Sequence, residues 1–253
     1  MLPKSVIKHV RSLHLKKFRD ANRLFIVEGP KMVQELILSG IWQIEEVFAL
    51  DEWHAPSSYS GKMTFVSFGD LERISLLQSP NKVLAVVKMP DDSTVLNAPT
   101  SGLHLLVDHV QDPGNLGTII RIADWFGIET VYCSLDTVEK FNPKVIQATM
   151  GSVFRVPVHY VSLTDLLIKN SESSRLQVFA TLLEGENIFS ATLDKDALLI
   201  VGNESKGVNP LLIPFVNKSL HIPSKMRNGS RAESLNVAIA TGIVCAEFSR
   251  NTW

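Results

Sequence analysis

The chain has 253 residues, a formal net charge of −1 and a hydrophobic fraction of 45%. This length suits one large domain or two domains of about 100–150 residues each. No apolar run reaches the ~18–20 residues that a membrane-spanning helix needs, and the charged N-terminus lacks the apolar core of a secretory signal, so we do not expect a membrane protein.

The two cysteines, Cys133 and Cys245, lie inside apolar runs, and neither belongs to a CxxC or Cys/His group. This pattern predicts buried thiols, without a disulfide framework and without a zinc site or other bound metal. A reducing, cytoplasmic location is the simplest interpretation.

Basic residues are concentrated in two stretches although the net charge is near zero. Residues 1–31 contain eight basic and two acidic residues, and residues 218–231 contain four basic residues and no acidic one. Such patches suit a polyanionic partner, whereas a solvated helix face explains the first stretch equally well on charge alone.

The first 90 residues alternate short strands and helices. Apolar positions in residues 4–18 follow helical spacing. The runs that follow predict strands at 23–29, 44–50, 63–68 and 83–88, with helices at 30–39 and 69–77. This alternation indicates a small α/β domain over residues 1–90. Residues 91–102, rich in Pro, Asp, Ser and Thr, predict a linker.

From residue 103 the strands become continuous apolar runs. They are predicted at 103–108, 130–134, 177–183 and 198–202, separated by helices at 116–126, 143–150 and 163–169. Strands without polar alternation indicate a parallel sheet covered on both faces, so residues 103–253 form a second α/β domain. Ligands of such sheets bind beyond the carboxyl ends of the strands.

Two loops at that edge hold unusual residues. In DHVQDPGNLGTIIR (108–121), Asn115 could cap the following helix, and Arg121 lies among isoleucines, where a buried guanidinium would need an anionic partner. In LLIVGNESKGV (198–208), two glycines would let the backbone approach a ligand closely, and a plain salt bridge is the alternative role for Glu204. Neither a Walker phosphate loop nor a dinucleotide-binding GxGxxG is present.

A third stretch, residues 219–248, begins with a strand-like run and continues as a basic loop. Ser234 is then the predicted N-cap of a helix over 235–248. A basic loop that leads into a helix N-terminus suits a negatively charged ligand, although a surface loop before an amphipathic helix is an equal alternative by itself.

Together these stretches resemble the three motifs of the SpoU (TrmH-like) family of RNA 2′-O-ribose methyltransferases, of the SPOUT class. QDPGNLGTIIRIADWFG resembles the first motif, LLIVGNESKGV the second, and HIP with ESLNVAIATGI the third, in the right order. The resemblance implies a parallel-sheet domain with a deep trefoil knot, a rare exception among folds. It also implies S-adenosylmethionine (AdoMet) as cofactor and a homodimer through the C-terminal domain.

The resemblance further implies that a ribose 2′-oxygen attacks the sulfonium methyl group. Because guanidinium is hard to deprotonate, we expect Arg121 to stabilise the developing alkoxide electrostatically. The residues implied to complete the catalytic set are Asn115, Glu204, Ser234 and Asn236. Those implied to hold the cofactor are Leu182, Gly202, Asn203, Ile222 and Leu235.

The N-terminal domain resembles, more weakly, the substrate-binding domain of this family. The expected RNA contacts are the basic residues of both stretches: Lys8, Arg11, Lys16, Lys17, Arg19, Arg23, Lys225, Arg227 and Arg231. The loop between Pro223 and Ser234 is longer than is usual in the family, and Ser205 and Ala238 replace a common glycine and a common serine.

Ribosomal RNA is the leading predicted substrate, with transfer RNA a close second. A non-catalytic RNA-binding or assembly factor on the same fold is the alternative of a different class, and it would not need the full catalytic set. A nucleotide-dependent oxidoreductase is disfavoured because the dinucleotide loop is absent.

Overall fold

The computed structural model describes residues 1–91, 97–225 and 234–250. It divides into two compact units. Unit 1 comprises Met1–Asp92 and Glu139–Arg155, and unit 2 comprises Ser93–Val138 and Val156–Trp253. The segment Glu139–Arg155 therefore groups with the N-terminal residues, whereas the sequence assigns it to the C-terminal domain.

The helices and strands alternate along most of the chain. In the N-terminal part they are α1 (Lys4–Ser12), α2 (Lys16–Asn22), β1 (Leu24–Glu28), α3 (Pro30–Ser39), β2 (Ile44–Ala49), β3 (Met63–Phe65), α4 (Phe68–Ile74) and β4 (Val83–Lys88). They continue with β5 (Leu103–Val107), α5 (Pro113–Phe126), β6 (Thr130–Cys133), α6 (Pro143–Thr149), β7 (Val158–Tyr160), α7 (Leu163–Lys169), β8 (Gln177–Asn187), β9 (Ala197–Val201), β10 (Lys218–His221) and α8 (Val237–Ser249). No helix within the described ranges is both long and apolar enough to cross a membrane.

Unit 1 is built on a four-stranded sheet in the order β1-β4-β2-β3. β4 pairs antiparallel with both β1 and β2, and β3 pairs parallel with β2. The predicted helix over 4–18 is divided, since α1 ends at Ser12 and α2 begins at Lys16.

The segment Glu139–Arg155 enters the core of unit 1 through two aromatic side chains. The ring of Phe141 stacks on Phe25 of β1 with centroids 4.4 Å apart, and Phe154 lies 5.7 Å from Trp42. Arg155 is also ion-paired with Glu35 of α3 at 2.8 Å. Because buried aromatic side chains contribute large apolar areas, the segment is an integral part of unit 1.

Unit 2 contains a six-stranded sheet in the order β10-β8-β9-β5-β6-β7, with every pair parallel. This confirms the predicted α/β class with a parallel sheet. All five residues of β9 are buried, as a strand covered on both faces requires. β7 is not predicted from the sequence, because its three residues are too few to give a clear apolar run.

Two further details of unit 2 concern the carboxyl edge of its sheet and the start of its core. β9 lies between β8 and β5, so the loops after β9 and β5 are neighbours. Ala98, inside the predicted linker, is buried in the core of unit 2 together with Leu106 and Ile200. The ordered domain therefore begins before Leu103, and residues 97–102 belong to unit 2.

Candidate active site

Three of the predicted catalytic side chains form a hydrogen-bonded group, which we call the Asn115 cluster: Asn115, Glu204 and Asn236. The amide Nδ2 of Asn115 donates to Glu204 Oε1 at 2.6 Å, and Asn236 Nδ2 donates to Asn115 Oδ1 at 2.9 Å. The cluster joins the start of α5, the loop after β9 and the start of α8. Glu204 thus has an amide partner, and it forms no salt bridge with any residue that the structure describes.

The N-terminus of α5 leaves the side chain of Asn115 free for this cluster. Asp112 is the N-cap residue, and its Oδ1 accepts from Asn115 N at 2.8 Å. Pro113 occupies the first helical position, where its missing N–H costs nothing. The structure therefore corrects the idea that Asn115 caps the helix.

The N-terminus of α8 differs from the prediction in the same way. Asn236 is the cap, because its Oδ1 accepts from Ala238 N at 3.0 Å and Ile239 N at 3.2 Å. Ser234, which the sequence predicts as the cap, lies two residues earlier and is exposed. A single Asn236 side chain therefore satisfies the first turn of α8 and donates to the Asn115 cluster.

Glu204 projects from a tight turn between Gly202 and Gly207. The backbone N–H and C=O of Asn203 exchange hydrogen bonds with Gly207 at 3.0 and 2.9 Å. A Cβ on Gly202 would lie 2.4 Å from the carbonyl carbon of Gly207, so only glycine fits there. These backbone hydrogen bonds and the close approach at Gly202 define the shape of the turn that carries Glu204.

Asn203 holds this turn from inside. Its Oδ1 accepts from the backbone N–H groups of Ser205 and Lys206, both at 2.9 Å, and its Nδ2 donates to His109 O at 2.8 Å. Three hydrogen bonds within the protein therefore occupy the side chain. The side chain of Asn203 therefore shapes the backbone of the turn.

A buried carboxylate anchors the far side of the same loop. Asp108, directly after β5, accepts from Asn209 N at 2.7 Å, and burial raises the pKa of its carboxyl group. Asp108 thus ties the end of β5 to the loop that follows β9.

Arg121 is not part of the Asn115 cluster. It lies six residues after Asn115 on α5, about 9 Å further along the axis and about 120° around it. Its side chain is exposed, so Arg121 does not need the anionic partner that a buried guanidinium would require. Among the described residues it makes no hydrogen bond or ion pair, so it is available to an external anion.

The residues predicted to hold the cofactor lie along the same edge of the sheet. Leu182 lies in β8 just beyond Ala180, the last residue that pairs with β9, where the pairing of β8 with β10 also shifts register. Ile222 directly follows β10 and is half-buried, and Leu235 is 47% exposed. Apolar side chains that are partly open beside a glycine-shaped turn fit a planar heterocycle such as adenine, which needs apolar walls and backbone hydrogen bonds.

The predicted RNA contacts in unit 1 are exposed with one exception. Lys8, Arg11, Lys16, Lys17 and Arg23 lie on the surface of unit 1, and Lys225 is exposed in unit 2. Arg227 and Arg231 lie outside the described residues.

Arg19 is the exception, with only 2% of its surface exposed. Its Nε donates to Glu139 Oε1 at 2.7 Å, and its Nη1 donates to the carbonyls of Leu13 and His14, both at 2.9 Å. With its donors occupied inside unit 1, Arg19 is a structural residue, which corrects its assignment as an RNA contact.

Comparison with known proteins covers both parts of the chain. Residues 102–246 match the SpoU rRNA Methylase family, and residues 4–85 match the MRM3-like substrate binding domain. The chain is 32% identical over 242 residues to the Bacillus subtilis 23S rRNA (guanosine(2553)-2′-O)-methyltransferase RlmP, covering 94% of this chain and 93% of the relative.

Solved structures agree over nearly the full length. An RNA methyltransferase of the TrmH family from Porphyromonas gingivalis superposes with a TM-score of 0.87 at 34% identity, covering 99% of each chain. An AdoMet-bound rRNA methyltransferase from Sinorhizobium meliloti superposes with a TM-score of 0.86 at 29% identity, covering 100% of this chain and 97% of the other. With the family match extending across all three elements that build the Asn115 cluster, this chain belongs to the SpoU rRNA methylase family.

Proposed function

We propose that this protein transfers a methyl group from AdoMet to a ribose 2′-hydroxyl of ribosomal RNA. The observation that carries the proposal is the Asn115 cluster, which holds a carboxylate and two amides at the carboxyl edge of a parallel sheet, where such folds bind ligands. The family membership and the RlmP relative, whose name specifies 23S rRNA, support ribosomal RNA over transfer RNA.

Leu182, Ile222 and Leu235 would supply the apolar walls for AdoMet, with the backbone of the Gly202–Gly207 turn facing its polar atoms. When bound, AdoMet supplies an electrophilic methyl group on a sulfonium centre. The deep trefoil knot expected for this class belongs to the same proposal, and the insertion of β9 between β8 and β5 is compatible with it.

A ribose hydroxyl is a weak nucleophile, so the site must polarise it or take up its proton. We assign Glu204 to orienting the target ribose, because Asn115 holds one of its carboxylate oxygens in place. Arg121 remains a cation and stabilises negative charge that develops on the 2′-oxygen or on a neighbouring phosphate. Ser234, exposed beside the start of α8, completes the polar set.

RNA binding is assigned to the exposed cations of unit 1, Lys8, Arg11, Lys16, Lys17 and Arg23. Lys225, and by sequence Arg227 and Arg231, would add contacts near the reaction site. Lys16 is partly neutralised by Asp20 at 2.6 Å, so its contribution should be smaller than that of Lys8 or Arg11. Binding through phosphates should weaken steeply with added salt.

A homodimer through α5 and α8 is also part of the proposal. Trp125 on α5 is 78% exposed, and Ile239 on α8 is 57% exposed. The helix α8 is apolar around its whole circumference. A helix of this composition is normally buried, and a second copy would bury it. Sedimentation should show a dimer that Trp125→Glu dissociates, whereas Leu211→Glu, at an exposed leucine elsewhere in unit 2, should leave it intact. A cytoplasmic location, consistent with two buried cysteines that are not joined in a disulfide, completes the proposal.

The test is methyl transfer from radiolabelled AdoMet to purified ribosomal RNA and, separately, to transfer RNA. We expect incorporation into ribosomal RNA at ribose 2′ positions and a strong loss with Asn115→Ala and Glu204→Gln. Glu172 is an exposed acid of unit 2 that lies outside the predicted catalytic set. Glu172→Gln is therefore the matched control and should keep full activity. Incorporation of label into transfer RNA alone would identify transfer RNA, rather than ribosomal RNA, as the substrate. No incorporation into any RNA would refute the proposed activity.

A further inference from the structure

A second polar network lies next to the Asn115 cluster, at the ends of β5 and β6. Ser134 Oγ donates to Asp136 Oδ1 at 2.6 Å and lies 2.9 Å from Thr137 Oγ1, which donates to Val107 O at 3.2 Å. Nothing in the proposed chemistry uses these residues. Their partner across the edge of the sheet is His109.

His109 has an unusual backbone conformation that the network maintains. Its φ of 55° lies in the left-handed region, which residues other than glycine rarely adopt. Its N–H donates to Ser134 Oγ at 2.8 Å, and its ring Nδ1 is hydrogen-bonded to Asp136 Oδ2. Two contacts from the end of β6 therefore hold His109 in a conformation that is otherwise unfavourable.

The consequence of this conformation is the direction of the His109 carbonyl. The oxygen accepts from Asn203 Nδ2 at 2.8 Å. Asn203 in turn shapes the turn that carries Gly202 and Glu204. A continuous set of hydrogen bonds therefore runs from Asp136, through His109, to the turn of the active site.

We propose that His109 and Asp136 are positioning residues: they hold the Asn203 turn in the geometry that binds AdoMet. The inference rests on the proposed function, because it concerns the same cofactor. It assigns the pair no contact with the reacting atoms. Their effect should therefore fall on cofactor affinity more than on the rate of the chemical step.

The size of the effect follows from exposure. The side chain of Asp136 is 58% exposed, so solvent screens its attraction to the ring and the charge itself contributes little. The hydrogen bond from Ser134 lowers the pKa of Asp136, which keeps the carboxylate ionised as an acceptor near neutral pH. One hydrogen bond of ordinary strength corresponds to about a threefold to tenfold change in affinity.

The experiment is titration calorimetry of AdoMet into the full-length protein, with thermal unfolding and steady-state kinetics measured in parallel. Asp136→Ala and His109→Ala should weaken AdoMet binding by about threefold to tenfold, raise KM for AdoMet in proportion and leave kcat nearly unchanged. His109→Asn should restore most of the affinity, because asparagine tolerates the left-handed conformation and its amide can donate to Asp136. Asp194→Ala, an exposed acid of unit 2, is the matched control.

Each result decides the proposal. Unchanged affinity in Asp136→Ala and His109→Ala would overturn it. Weakened affinity that follows a lowered melting temperature, and that His109→Asn does not restore, would overturn it in favour of general destabilisation. A wild-type protein that binds no AdoMet would instead refute the proposed function on which the inference rests.

Discussion

The buried side chain of Arg19 gives the sharpest test of how unit 1 is held together. In Arg19→Ala, Glu139 loses its main partner, and the carbonyls of Leu13 and His14 lose their donor. The nearest remaining cation is Lys16, whose Nζ lies 3.4 Å from Glu139 Oε2. The substitution should therefore destabilise the attachment of Glu139–Arg155 to the rest of unit 1.

Burial sets the magnitude of this loss. Removing one partner of a buried ion pair costs about 3–5 kcal/mol, because the other charge remains desolvated. Glu139 keeps 17% of its side chain exposed, so we expect the lower end, about 3 kcal/mol. For a unit of this size, such a loss lowers Tm by roughly 10–15 °C.

Differential scanning calorimetry of wild type, Arg19→Ala, Glu139→Ala and the double variant measures the effect and the coupling between the two residues. The double variant should be less destabilised than the sum of the single variants, because they share one interaction. Lys8→Ala is the matched control: it should keep Tm and instead reduce the salt dependence of RNA binding. Unchanged Tm in Arg19→Ala, with weakened RNA binding, would refute our assignment and restore Arg19 as an RNA contact.

Three further predictions concern unit 2. Burial lowers the pKa of His104, so protonation favours the unfolded chain below about pH 6.5. Between pH 7.5 and 5.5, wild type should therefore lose more free energy of unfolding than His104→Gln. An equal loss in denaturant titrations of the two proteins would contradict this. Burial raises the pKa of Cys245 to about 12, so iodoacetamide at pH 8 should label this thiol only after denaturation. Rapid labelling of the native protein in a mass-spectrometric time course would contradict this. Gly202→Ala should abolish AdoMet binding in calorimetry, because the new Cβ would clash with the backbone of Gly207. The control Gly69→Ala has open space around its new Cβ and should bind AdoMet normally. Normal binding by both variants would show that the turn can adjust.

Periodicity predicted much of the architecture correctly. The helix over 163–169 and the strand over 83–88 have the expected bounds, and the buried apolar runs around β5, β6, β8 and β9 form the expected parallel sheet. These features depend on which neighbouring residues are apolar, and neighbouring residues are what a sequence shows directly.

The errors concern the surroundings of two arginine side chains. Arg19 lies in a basic stretch and therefore suggests an RNA contact, but its partner Glu139 is 120 positions further on. Arg121 lies among isoleucines and therefore suggests burial, but helical geometry places it on the exposed face of α5, with Thr118 and Trp125. Charge along the chain cannot reveal the burial of Arg19, because that depends on tertiary packing, whereas the position of Arg121 follows from helical spacing.

The same limit explains why motifs identified the members of the Asn115 cluster without showing how they are joined. Its two hydrogen bonds connect residues 89 and 121 positions apart, and the bond from Asn203 to His109 spans 94. These distances close because β9 lies directly beside β5, which brings the turn after β9 next to the start of α5. The strand order therefore places this turn beside α5, and it also brings residues outside the motifs, such as Asp136, to the same edge of the sheet, where we propose that they affect cofactor binding.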